Sequence, residues 1–103
     1  MLGKKAAVML PKLIDDFFRD ADKLREQAHQ ALAQNKLEDL RRAVHTLKSN
    51  LKNFGAEDLA ELCQETENRA KAGQLEETRE LLKQIEIEYP NVREALENYR
   101  YNL

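Results

Sequence analysis

Turn-forming residues are scarce in this chain: three glycines and two prolines among 103 residues. So few breaks exclude an all-β fold assembled from many short strands. Cysteine occurs once, at Cys63, which rules out an internal disulfide and fits a reducing compartment. Long apolar runs are missing as well. The longest, Ala6 to Leu10, is far too short to cross a bilayer or to serve as a secretory core, so a cytoplasmic location is the expectation. Neither sign of charge dominates: 17 basic against 19 acidic residues leave a net charge of -2, which gives no global reason to expect nucleic acid as a partner. No glycine-rich phosphate loop is present, and with it goes any nucleotide site of the chain's own.

What remains is rich in helix formers. Leu, Ala, Glu, Lys, Arg and Gln dominate, with 42% apolar and 35% charged residues overall, an ordinary globular composition. The length suits one domain, residues 1–103, with a single modest core. Read at helical period, the chain resolves into four apolar stripes. The first runs Leu10, Ile14, Phe17, Ala21, Leu24, Ala28, Ala31, with Pro11 tolerated near its start. The second runs Leu37, Leu40, Val44, Leu47, Leu51, Phe54. The third runs Leu59, Leu62, Cys63, Thr66, Ala70, opened by Glu57 and Asp58, whose charges suit a helix N-terminus. The fourth runs Leu75, Thr78, Leu82, Ile85, Tyr89, Val92, Leu96, Tyr99.

Breaks fall at Gln34-Asn35, at Asn53 to Ala56 and at Ala72-Gly73-Gln74. Connections this short make successive helices antiparallel neighbours, so the predicted fold is all-α: an antiparallel, up-down-up-down four-helix bundle. Pro90 interrupts the fourth stripe without ending it, which predicts a kink near Tyr89 rather than a stop. Residues 1–9 are read as either a short extra helix or an arm. Single-faced helices with charged outer faces predict a monomer without membrane insertion.

Two histidines are present, and only one stands in a suggestive neighbourhood. On a wheel of roughly 100° per residue, His45 lies roughly 130° from the centre of the second stripe, outside the core face. Arg41, Lys48, Ser49 and Lys52 share its side of the helix. An exposed histidine on a charged helix is often plain surface. An imidazole ringed by cations is also a site for a transient anion, since those cations can steady a phosphoryl group once it arrives. Periodicity leaves both readings open. A structural zinc finds no support, because His29, His45 and Cys63 lie on different helices without ligand-like spacing. Cys63 falls inside an apolar stripe as a small core residue, and Tyr99 and Tyr101 read as helix-end packing.

The segment His45-Thr46-Leu47-Lys48-Ser49, followed by Phe54-Gly55-Ala56, Leu59 and Cys63, resembles the signature of histidine-containing phosphotransfer (HPt) domains. The family pattern is His-x-Leu-Lys-(Gly or Ser), then a glycine ten residues after the histidine, on the second helix of a four-helix bundle. The likeness extends over roughly residues 10–100, with departures at Asn50, Leu51 and Lys52. The resemblance implies that His45 is the phosphoacceptor, taking a phosphoryl group on its far ring nitrogen from one receiver aspartate and passing it to another. It implies that Lys48 steadies the phosphoryl oxygens, with Lys52 in support, and that small Ser49, with Arg41 nearby, lies where a receiver docks. Gly55 becomes the turn glycine. Glu67 lies on the flank of the third stripe; chemotaxis-kinase members carry a glutamate at this spacing that holds the near ring nitrogen, and a surface pair with Lys71 is the plain alternative.

The implied protein is a phosphorelay carrier without a kinase active site, served by response-regulator receiver domains and by hybrid sensor histidine kinases. It needs no cofactor of its own, the Mg²⁺ belonging to the receiver. Two other readings compete: a helical adaptor whose histidine is incidental, and a phosphotransfer domain of a chemotaxis-type or hybrid kinase. The dimerisation segment of a sensor kinase fits poorly, because Thr46 rather than an acidic residue follows the histidine and no proline comes before Pro90.

Overall fold

The computed structural model describes residues 4–102, with side chains over residues 10–102. It contains four helices and, among the described residues, no strand: α1 Lys4–Ala33, α2 Leu37–Asn53, α3 Glu57–Lys71 and α4 Leu75–Tyr101. Each helix packs on its neighbour in sequence, and α4 closes the ring against α1. The up-down-up-down bundle is present.

All three connections are built the same way. Asn35, Gly55 and Gly73 each adopt a positive φ, of 56°, 75° and 73°. Each N–H returns to a carbonyl three residues back, and the next residue's N–H reaches five back: Lys36 to Ala31, Ala56 to Leu51, Gln74 to Arg69. This left-handed cap satisfies carbonyls that the ending helix leaves open. The same Lys36, Ala56 and Gln74 then offer their own carbonyls to the first turn of the next helix. Three-residue turns therefore join every pair, and no side-chain N-cap is used at α2, α3 or α4.

The stripes supply the core. Ile14, Ala21, Leu40, Val44, Leu47, Leu51, Leu59, Cys63, Leu82 and Ile85 are all buried. Phe17 sits among aromatic rings, with centroids 5.1 Å from Phe54 and 6.5 Å from Tyr89. Thr66 and Thr78, read as members of apolar stripes, are fully buried, and their hydroxyls donate to the carbonyls of Leu62 and Gln74 at 2.7 Å. Burial of these polar groups is thus compensated.

Several expectations are revised. Residues 4–9 are neither a separate helix nor an arm; they are the first turns of α1, which runs through Pro11. Strong helix formers on both sides carry the helix past a proline that forfeits only one backbone hydrogen bond. Residues 1–3 lie outside the described residues. Pro90, by contrast, behaves as predicted in not stopping the helix: α4 runs on through it to Tyr101. Tyr101 is 90% exposed, and Tyr99 is half exposed on a groove with Leu10, Ile14 and Leu96. They project because α1 and α4, at 30 and 27 residues, outrun α2 and α3, at 17 and 15, and have no third helix to pack against there. Phe18 and Leu32 join the core from beside the first stripe.

Candidate functional site

The turn at Gly55 sets the register of the site. His45 lies ten residues before it on α2 and Glu67 twelve after it on α3, so antiparallel packing brings the two to one level. His45 Nδ1 stands 2.7 Å from Glu67 Oε1. The other carboxylate oxygen, Oε2, accepts from Lys48 Nζ at 2.7 Å, and Arg41 Nη1 lies 3.8 Å from Oε1. Glu67 is 4% exposed. Burial alone would push its carboxyl up; hydrogen bonds from Lys48 and His45 outweigh that and hold it below the ordinary carboxylate range.

An ionised carboxylate can only accept, so Nδ1 must carry the proton. The lone pair of the neutral ring is then on Nε2, which has no partner among the described residues. The ring is a little over half exposed. The arrangement is a buried anion holding one ring nitrogen of a half-exposed imidazole while the other nitrogen is left without a partner.

The basic neighbourhood is less bare than the helical wheel implies. Lys48 is 12% exposed, and its ammonium lies against α3, donating to Gln64 Oε1 at 2.8 Å as well as to Glu67. Arg41 folds back on Glu38 in a two-bond fork of 2.9 and 2.6 Å. Lys52 is exposed two turns beyond His45. Ser49 is exposed, and its hydroxyl donates to the His45 carbonyl at 3.3 Å, leaving little bulk beside the ring. The nearest charge to the ring is therefore an anion from another helix. A wheel drawn for α2 alone cannot place it.

Gln64 and Asn68 are the members of this cluster that sequence reasoning missed. Both are exposed, and Gln64 Nε2 donates to Asn68 Oδ1 at 3.0 Å. Their spacing carried the signal: Gln64 lies three residues before Glu67 and Asn68 follows Gln64 by four, all on one helix face. The alternative pairing of Glu67 with Lys71 does not occur.

His29 offers the contrast. Its Nε2 lies 3.1 Å from Glu86 Oε1, so the nitrogen left open on His45 is the one engaged on His29. Cys63, fully buried next to this cluster, has its thiol pushed up to about 12, mainly by burial, with Glu67 adding to the shift and Lys48 opposing it. It is a packing residue rather than a nucleophile.

With this geometry in place, comparison with known proteins is decisive. The Hpt domain family model matches residues 12–96. The chain belongs to the Hpt family. A crystal structure of histidine-containing phosphotransfer protein B from Pseudomonas aeruginosa PAO1 is similar throughout: 29% identity, a TM-score of 0.86, and coverage of 99% of this chain and 96% of that one. Comparison with curated protein sequences returns no match. Histidine phosphotransfer in phosphorelay signalling is thus the function of this Hpt domain. Hpt domains are phosphocarrier modules, and Hpt proteins work with response-regulator receiver domains. No described helix of this Hpt domain is long and apolar enough to cross a membrane.

Proposed function

We propose that His45 is the phosphoacceptor and that it carries the phosphoryl group on Nε2. The observation that carries this reading is the 2.7 Å contact of Nδ1 with the buried, ionised Glu67. In the transfer, the P–O bond of a receiver's acyl phosphate breaks as the Nε2–P bond forms. The receiver carboxylate leaves with the electron pair. Nδ1 keeps its proton, and the positive charge that grows on the ring as Nε2 gives up its lone pair develops against Glu67. A fixed anion placed where charge appears costs no reorganisation when the reaction occurs. Return to the next receiver reverses these steps.

Lys48 steadies the phosphoryl oxygens, with Lys52 adding a more distant positive charge. Ser49 lies near the centre of the docking face on the α1–α2 side, and Arg41 borders it. Gly55 serves by fixing the register. The chain acts as a carrier and not as a kinase. It brings no metal: the one carboxylate at the ring is already shared between His45 and Lys48, so Mg²⁺ belongs to the receiver. A cytoplasmic monomer serving receivers, some of them within hybrid histidine kinases, fits the charged helical surface, where ion pairs such as Arg19–Asp16, Arg41–Glu38 and Lys83–Glu80 join residues of one helix.

The test is transfer of labelled phosphate from a panel of phosphorylated receiver domains. The wild-type chain should acquire acid-labile label. His45→Gln should keep its helical spectrum and lose label by at least two orders of magnitude, because no second nucleophile shares the site. Undiminished labelling of that variant rules the assignment out.

A further inference from the structure

The hydrogen bonds around Lys48 do not end at Glu67. An ammonium has three donors, and two are committed to α3: one to Glu67 Oε2 at 2.7 Å and one to Gln64 Oε1 at 2.8 Å. The Gln64 amide is itself oriented, since its Nε2 donates to Asn68 Oδ1 at 3.0 Å. A continuous chain therefore runs Asn68, Gln64, Lys48, Glu67, His45, along α3 and across to the ring on α2. Glu67 alone would let the long lysine stem pivot about a single point. A second acceptor from the neighbouring turn of α3 fixes the ammonium in two directions and aims the remaining N–H.

We infer that Gln64 is a positioning residue for phosphotransfer, holding Lys48 so that its third donor is available to a phosphoryl group on His45. Gln64 touches neither the ring nor the reacting atoms; it acts through Lys48. Asn68 acts one step further back, by fixing which end of the Gln64 amide faces the ammonium. Because Gln64 is neutral, it anchors Lys48 without adding a second negative charge beside an incoming phosphoryl group. A carboxylate at the same position would bind the ammonium more strongly and repel the phosphate. The inference rests on the reading of His45 as phosphoacceptor, and its test separates the two.

Phosphoramidate serves as the phosphoryl donor, so that no receiver is needed: its P–N bond breaks, the Nε2–P bond forms, and ammonia leaves. The chains compared are wild type, Gln64→Met, Lys48→Ala and the double variant. Gln64→Met retains the length of the side chain and removes the acceptor. Its phosphorylation rate should fall about threefold to tenfold, the loss of about one hydrogen bond, with an unchanged melting temperature. Its Lys48 ammonium signal, observed by ¹H–¹⁵N NMR at low temperature, should broaden as the group loses an anchor. In the Lys48→Ala background the same change should have no further effect, since a residue acting through Lys48 has nothing left to position. A wild-type rate in Gln64→Met, or an equal loss with and without Lys48, overturns the inference and leaves His45 in place. Failure of the wild-type chain to take phosphate on His45 overturns both readings.

Discussion

At the scale of single residues, two carboxylates do similar work at opposite seams of the bundle. Glu67 on α3 receives His45 and Lys48; Glu86 on α4 receives Arg25 in a fork of 2.9 and 2.6 Å and His29 at 3.1 Å. The difference lies in which ring nitrogen is occupied: Nδ1 on His45 and Nε2 on His29. Tyr89 shows how a buried polar atom outside the site is treated. It is 2% exposed, the Arg25 guanidinium stacks 4.1 Å over its ring, and its Oη has no hydrogen-bond partner among the described residues. Burial raises its hydroxyl pKa, with Asp22 adding to the shift. An unpaired buried hydroxyl costs stability that phenylalanine avoids. Tyr89→Phe should therefore leave the denaturation midpoint unchanged or raise it, with transfer unaffected. A loss of about 1 kcal/mol or more in urea unfolding would show that the hydroxyl is bonded after all.

At the scale of elements, the three turns are the part of the design most exposed to single changes. Gly55 has φ of 75°, and a Cβ added there would meet nothing within 4 Å. The cost of Gly55→Ala is thus purely conformational, about 1–2 kcal/mol, and Gly55→Asn should cost less because asparagine tolerates this region, as Asn35 does at φ 56°. Equal stability of all three chains in urea unfolding contradicts this account of the turn. Elements were also the most legible level of the sequence. The stripes from Leu37 to Phe54 and from Leu75 to Leu96 repeat every three or four residues, and burial follows the same rhythm, because a helix must bury one face whatever its partners are. His45 was placed outside the core for the same reason. What the period could not show is which flanks of two helices meet. That depends on the register set by Gly55, so the partners of Lys48 and the presence of Gln64 in the site became visible only once α2 and α3 were side by side. Phe18 and Leu32 escaped because α1 is covered on more than one side, and a single-stripe reading counts only one.

At the scale of the whole molecule, ion pairs across helices couple folding to acid. Burial raises the Glu86 carboxyl, the hydrogen bonds from Arg25 and His29 lower it further, and the net direction is below its ordinary value of 4.5. Glu67 behaves alike. Where the native carboxyl titrates below the unfolded one, the unfolded chain binds more protons between the two values. The stabilisation is complete above about pH 4.5 and is lost as pH falls through the lowered native values. Glu86→Gln removes one such contribution, so its unfolding free energy should fall less steeply than wild type below about pH 4.5. An identical acid limb in chemical denaturation contradicts a native Arg25–Glu86 pair of this kind. The same whole-molecule logic leads to the site, because the packing of α2 on α3 brings the Glu67 carboxylate to the His45 ring. The most direct test is ¹⁵N NMR of the histidine rings before and after phosphorylation by a receiver domain. The account predicts an Nδ1-protonated His45 at rest, phosphorus coupled to its Nε2 afterwards, the Nδ1 proton retained, and the His29 ring unchanged. Phosphorus on Nδ1 of His45, or on His29, would contradict it.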